Sequence, residues 1–177
     1  MKKLIALILI MVMAMSMAAC GEKAPAAADK TPLAGTMEEN VLKVMESAPV
    51  EFMGGIIPVD LTDTSEDGLW AVNYFTGLES GEKLTDIAVY ESMMGSQAFS
   101  LVMVRVVEGT DAKEVAQEMT DSIDTRKWIC VGADEKLVAG YGDVVMLIML
   151  DSQLGLAAQD YVDAFKTVCG ADLDFTI

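Results

Sequence analysis

Histidine is absent from this sequence of 177 residues, and the absence removes several kinds of active site. Ser-His-Asp and Cys-His nucleophiles need an imidazole base, and mixed cysteine–histidine zinc sites need an imidazole ligand. Three cysteines are also too few for a four-cysteine zinc site. Hydrolysis by two carboxylates is still open, but among 28 acidic residues a pair of carboxylates carries no information. We therefore expect no catalytic residue, no cofactor and no enzymatic activity.

Lysine and arginine are scarce. Only 12 stand against 28 acidic residues, and the net charge at pH 7 is −16. A surface of this sign repels the phosphates of nucleic acids and anionic lipid headgroups, so we expect no nucleic-acid partner. It attracts cations or a basic patch on another protein, although acidity that only keeps an exported protein in solution is the simpler interpretation.

Long apolar runs are missing as well. The longest run, at residues 4–16, has 13 residues, whereas a helix that spans a membrane needs about 20. Two lysines precede this run and two alanines follow it. A charged start, a short apolar segment and small residues are typical of a secretory signal peptide, which we place at residues 1–19.

The residue that ends this segment is a cysteine. The letters MAAC, which finish at Cys20, resemble the lipobox of bacterial lipoproteins. The resemblance implies cleavage before Cys20 and transfer of a diacylglycerol to its thiol, and two or more acyl chains anchor a protein stably. A signal peptide with a chance cysteine is the alternative, but Cys20 falls just where the apolar run stops. We therefore expect a lipid anchor in the membrane, with the protein on the outer face of the cytoplasmic membrane.

Composition divides the remainder into two parts. Residues 20–35 are rich in alanine, proline and charge and lack an apolar period, which predicts a flexible tether behind the lipidated cysteine. Residues 36–177 are long enough for one globular domain with its own core.

Within that domain the pattern of strands and helices repeats. A capping box at Thr36 predicts a first helix. A hairpin at 83–107 precedes an amphipathic helix at 111–126, and a second hairpin at 136–150 precedes a helix at 156–169. This order predicts an α+β fold of two layers, in which an antiparallel sheet built from two hairpins is covered by helices.

Two parts of this prediction concern the faces of the sheet. The apolar run Val144–Leu150 is typical of a central strand that is covered on both faces. The first helix and the segment 69–75, which fits either a strand or a helical turn, add to the core or to the second face of the sheet.

The lipobox, the tether, the block KLTDIAVYESMM and the hairpin KLVAGYGDVVMLIML together resemble one family. It comprises small lipoproteins of Gram-positive anaerobes that carry domain of unknown function four-three-five-eight. The resemblance covers residues 36–170 and implies a location and a fold. It implies no reaction, and no functional residue beyond Cys20.

A weak calcium motif lies at residues 63–68. Asp63, Ser65, Asp67 and Gly68 match positions 1, 3, 5 and 6 of an EF-hand loop, but position 12, which should be a bidentate glutamate, is Tyr74. Asp63 and Asp67 are therefore weak candidate ligands, and a solvated acidic turn explains the same letters.

Three further residues admit two interpretations each. Cys130 and Cys169 fit a disulfide, which export permits, but two buried thiols that act as small apolar residues are slightly favoured, since two cysteines in a domain of this size are not a disulfide framework. Arg105, inside an apolar strand, fits the lining of an anion-binding groove, but a place on the solvent face or at the end of the strand is the commoner one.

These observations together predict a non-catalytic binding or accessory module that engages a protein partner at the cell envelope. The alternatives are a lipoprotein that binds calcium or a small molecule, and a carboxylate-based hydrolase of cell-wall glycans, which needs two carboxyl groups facing each other across a cleft.

Overall fold

The computed structural model describes residues 31–177 of the chain. The predicted signal peptide, Cys20 and most of the predicted tether lie outside the described residues. Among the residues that are described, no helix is long and apolar enough to cross a membrane.

Four α-helices and six strands alternate along the described part of the chain, with one short 3-10 helix. In chain order they are α1 (Met37–Ser47), β1 (Gly54–Ile57), α2 (Glu66–Thr76), β2 (Leu84–Ser92), β3 (Phe99–Val106), α3 (Ala112–Ser122), β4 (Glu135–Tyr141), β5 (Val144–Leu150), the 3-10 turn Ser152–Leu154, α4 (Ala158–Cys169) and β6 (Phe175–Thr176). The segment 69–75 is therefore helical. An α+β fold with an N-terminal helix is confirmed.

The predicted capping box starts α1. The Thr36 hydroxyl accepts a hydrogen bond from the Glu39 amide at 3.2 Å, and the Glu39 carboxylate accepts one from the Thr36 amide at 3.1 Å. This reciprocal pair satisfies two of the amides that every helix leaves free at its start.

All strand pairs in the sheet are antiparallel, in the order β1-β2-β3-β5-β4-β6. The two predicted hairpins are the pairs β2-β3 and β4-β5, and Gly142, with φ +58°, forms the turn of the second one. All seven residues of β5 are buried, which confirms the predicted central strand.

Helices lie on both faces of the sheet, so the domain has three layers and not the two expected. On one face α1 and α4 pack against alternate residues of β3 and β5, among them Phe99, Leu101, Met146 and Ile148. On the other face α2 and α3 pack against the intervening residues, among them Val102, Val104, Val145 and Leu147.

The connections between strands explain the third layer. Because β3 and β4 both pair antiparallel with β5, they run parallel to each other, and α3 is a crossover between them. By the same reasoning α4 is a crossover from β5 to β6, which lies beyond β4. Both crossovers move in the same direction along the sheet but start from strands that point in opposite directions. Crossover connections between parallel strands are right-handed in almost all proteins. Two right-handed crossovers of this kind place their helices on opposite faces of the sheet.

Residues 31–35, the first that the structure describes, contact the domain, and Leu33 is buried in its core. Arg105 holds this first segment in place. Its Nη1 donates to both carboxylate oxygens of Asp143, at 2.9 and 2.8 Å, and its Nη2 donates to the Leu33 carbonyl at 2.7 Å. Arg105 therefore lies at the end of its strand and joins the start of the domain to the β4–β5 turn.

Candidate binding surface

The two ends of the sheet carry different features. At one end, which we call the N-terminal pole, the Tyr141 hydroxyl donates to the Thr31 carbonyl at 3.1 Å, close to the Arg105 contacts. At the other end, the distal pole, β2 turns into β3 and β1 begins. Phe99 starts β3 at the distal pole and Arg105 is near its other end, so the poles are about 20 Å apart.

The distal pole exposes four large apolar side chains. Met53, Met93, Met94 and Ile129 are 71, 61, 52 and 74% exposed, and we call these four residues the Met/Ile patch. Backbone hydrogen bonds join them, because the Met93 amide donates to the Met53 carbonyl at 2.9 Å and the Ile129 amide donates to the Gly95 carbonyl at 3.1 Å. Single exposed apolar residues need no explanation, but a group of them marks an interaction surface, and methionine adapts its shape to different partners.

Polar contacts within the β2–β3 turn keep this patch in place. The Ser92 hydroxyl accepts from the Met94 amide at 3.1 Å and donates to the Gln97 side chain at 2.9 Å. The backbone N–H of Gln97 in turn donates to the Met94 carbonyl at 2.9 Å. The turn satisfies its own polar groups in this way, while the side chains of Met93 and Met94 stay in solvent.

A buried ion pair holds the segment that carries Ile129. The Lys127 ammonium lies 2.6 Å from the Glu91 carboxylate on β2, and the two side chains are 2 and 11% exposed. Lys127 also donates to the Ser100 hydroxyl at 3.3 Å. Burial lowers the pKa of Lys127, and the attraction of Glu91, which acts in the opposite direction, does not cancel this effect.

Three aromatic rings surround the same ammonium group. Its Nζ atom is 4.5 Å from the centre of the Tyr74 ring, 4.8 Å from Phe75 and 5.2 Å from Trp128. Tyr74 and Lys127 exchange hydrogen bonds, each donating from its side chain to the carbonyl of the other at 3.4 Å. The cation–π contacts offset part of the cost of burying the charge, and they fasten the loop to α2.

Sequence reasoning missed this ion pair because it searched for histidine-based chemistry. A lysine beside a serine is another known arrangement for nucleophilic catalysis. Ser100 is fully buried and Lys127 nearly so, so no reactant reaches the pair and its role is structural. One signal was available in the sequence: strand alternation places Glu91 on the same face of β2 as buried Val89.

Cys130 carries a free thiol, and it is not bonded to Cys169. Cys130 is exposed in the loop after Lys127, between Trp128 and Val131, which both pack on the face covered by α2 and α3. Cys169 ends α4 on the opposite face. The sheet separates the two residues, so of the two interpretations offered by the sequence, a disulfide between Cys130 and Cys169 is the one that the structure contradicts. Cys130 has a φ of +63°, an unusual conformation for a residue other than glycine.

The calcium candidates Asp63 and Asp67 do not form an EF-hand loop, because α2 begins at Glu66 inside the segment that would have to wrap around the ion. Asp63 accepts a hydrogen bond from the Ser65 amide at 2.9 Å, and Ser65 caps the helix. In the described part of the chain, no three acidic or cysteine side chains are placed to hold a metal ion. The sequence 63–68 is an acidic turn that starts a helix.

Two clefts of about 570 Å³ each contain carboxylates. Asp160 and Asp163 line the first, but both belong to α4 and form one wall. Asp63, Glu79 and Glu82 line the second. Hydrogen bonds from Ser65 lower the pKa of Asp63, whereas a general acid of a glycosidase needs a raised pKa. Asp63 therefore does not suit the role of that acid.

Comparison of the chain with family models, with curated proteins and with solved structures finds no match. The resemblance to the lipoprotein family stays a prediction.

Proposed function

We propose that this protein is a lipid-anchored, non-catalytic module on the outer face of the cytoplasmic membrane, and that it binds another envelope protein through the Met/Ile patch. One observation carries the proposal. The patch lies at the distal pole, whereas the chain leaves the domain toward Cys20 at the N-terminal pole, where Thr31 is held.

This arrangement suits a binding surface that faces away from a bilayer. The ten residues 21–30 separate Cys20 from Thr31 along the chain. A surface meant to touch the lipid would lie at the opposite end of the sheet.

Charge supports a protein as the occupant of the patch. With a net charge of −16 the chain is repelled by anionic lipid and by nucleic acid alike. An apolar surface on such a chain is covered most favourably by an apolar surface of another protein, which brings no phosphate groups with it.

The anchor is tested by the intact mass of the processed protein. We expect a species that begins at Cys20 and carries the added mass of acyl chains. A mature protein that begins elsewhere, or that begins at Cys20 without acyl chains, contradicts the location.

The binding surface is tested by site-specific photocrosslinking in cells. A photoreactive residue in place of Met94 or Ile129 should give a discrete protein adduct, and the adduct should disappear when Met93 is changed to aspartate. Leu42 is the matched control, since it is apolar and 46% exposed but belongs to α1. Equal adducts from positions 42 and 94, or adducts with lipid alone, contradict the proposal.

A further inference from the structure

The strand β1 lies at an edge of the sheet and pairs with β2 alone among the described strands. Its register with β2 shows which of its backbone groups are free. The Met93 amide donates to the Met53 carbonyl, so residues 53 and 93 face each other as a hydrogen-bonded pair. Such pairs alternate in antiparallel strands. The amides and carbonyls of Gly55 and Ile57 therefore point to β2, and those of Gly54 and Ile56 point outward.

This edge lacks the usual protection against a further strand. Natural edge strands carry charged side chains, prolines or bulges that prevent pairing. β1 is uncharged, pairs with β2 in unbroken register, and is half-buried along its whole length. Pro58 follows only after its last residue. Its first residue adjoins Met53, and the Met93 side chain passes close to Gly55, so the edge continues directly from the Met/Ile patch.

The charge around β1 indicates the chemistry of the occupant. Residues 44–82, which contain β1, carry eight acidic side chains and no lysine or arginine. Two of them, Glu51 and Asp60, are exposed just before and just after the strand. A second copy of this chain would bring the same charges to the edge and is disfavoured by repulsion, whereas a cationic segment is attracted.

We propose that β1 accepts one extended strand from a protein partner, and that this strand alternates apolar residues with lysine or arginine. The added strand forms hydrogen bonds with Gly54 and Ile56, and its basic side chains meet the acidic flanks of β1. This inference rests on the proposed function, because it describes how the partner of the Met/Ile patch is held.

The test uses a nine-residue peptide in which lysine alternates with valine, added to the full chain in detergent micelles. Amide hydrogen exchange, read by NMR, should slow about tenfold at Gly54 and Ile56. The amides of Gly55 and Ile57 already bond to β2 and serve as internal controls, which should change little. A peptide with glutamate for lysine, and a lysine peptide methylated on alternate backbone nitrogens, should give no slowing at any of these four amides.

Three results overturn the inference: unchanged exchange at Gly54 and Ile56, equal slowing by the methylated peptide, or equal slowing by the glutamate peptide. The variant Ile56→Pro removes one outward amide and should abolish the slowing at Gly54, while the methylated peptide decides the question even if that variant fails to fold.

Failure of this inference can be distinguished from failure of the proposed function. If position 94 still crosslinks a protein while Gly54 is unaffected, the patch stands and strand addition is wrong. If Gly54 is protected while position 94 crosslinks nothing, the patch is wrong.

Discussion

Replacing Lys127 with methionine tests whether the buried ion pair holds the loop that carries Ile129. Methionine keeps much of the length of the lysine side chain and its apolar stem, but it removes the charge. The Glu91 carboxylate then stays 11% exposed, with no cation 2.6 Å away. A buried carboxylate without its partner costs about 3–5 kcal/mol, because the desolvation penalty is no longer offset.

Urea unfolding measures this loss. A domain of this size has about 5–15 kcal/mol of stability, so the Lys127→Met protein should still fold. With a slope of about 2 kcal/mol per molar urea, the unfolding midpoint should fall by about 2 M. The double variant Glu91→Gln, Lys127→Met should recover most of the loss, since neither charge is then buried.

Lys83 provides the matched control for this experiment. It pairs with Glu118 at the surface, where the two side chains are 52 and 34% exposed. Lys83→Met should leave the midpoint almost unchanged, because solvent already screens that pair. If Lys127→Met is as mild as Lys83→Met, or if the double variant recovers nothing, the reasoning about the buried pair is wrong.

The pH dependence of stability gives a second prediction from the same group. Burial lowers the pKa of Lys127 below its ordinary value of 10.5. As pH rises toward 10.5, the folded protein releases this proton before the unfolded chain does. The unfolded chain then binds more protons, so the free energy of unfolding rises with pH. This rise in the free energy of unfolding should be measured below pH 10. Burial raises the pKa of neighbouring Tyr74, so its titration lowers the free energy of unfolding as pH rises further. The Lys127→Met protein should not show this rise with pH, and an equal rise in both proteins contradicts the prediction.

Three other predictions concern the N-terminal segment, the strained cysteine and calcium. Arg105→Gln should lower the free energy of unfolding by about 1.5–3 kcal/mol and expose residues 31–35 to proteases, because it removes charge-assisted hydrogen bonds to Asp143 and Leu33. The control variant Lys43→Gln should have neither effect. Cys130→Gly should be as stable as the natural protein, whereas Cys130→Val should lose about 1 kcal/mol in urea unfolding, since its φ is +63°. Millimolar calcium should change the melting temperature of the natural protein and of Asp63→Ala by the same amount; a shift lost in Asp63→Ala would restore the calcium hypothesis.

Local sequence determined most of the secondary structure, because its causes lie within a few residues. The capping box starts α1 at Met37. The continuous apolar run Val144–Leu150 determined a central strand, since such a run leaves no polar face for solvent. The sequence also indicated the strand–strand–helix order. It left residues 69–75 undecided, because a short apolar run fits a strand as well as a helical turn. In the structure Ser65 caps a helix that includes this segment.

The layers and the binding surface were decided by tertiary structure. Local periodicity shows that α3 and α4 each bury one side, but it does not show which face of the sheet each helix covers. That face is set by the direction of the strand from which each crossover starts. Met53, Met93 and Ile129 are far apart in the chain, and backbone pairing at one end of the sheet brings them together. For the Lys127–Glu91 pair, strand alternation indicates only that Glu91 faces the core. Its partner could not be predicted, because a lysine in a loop becomes buried only when α2 and β2 pack around it.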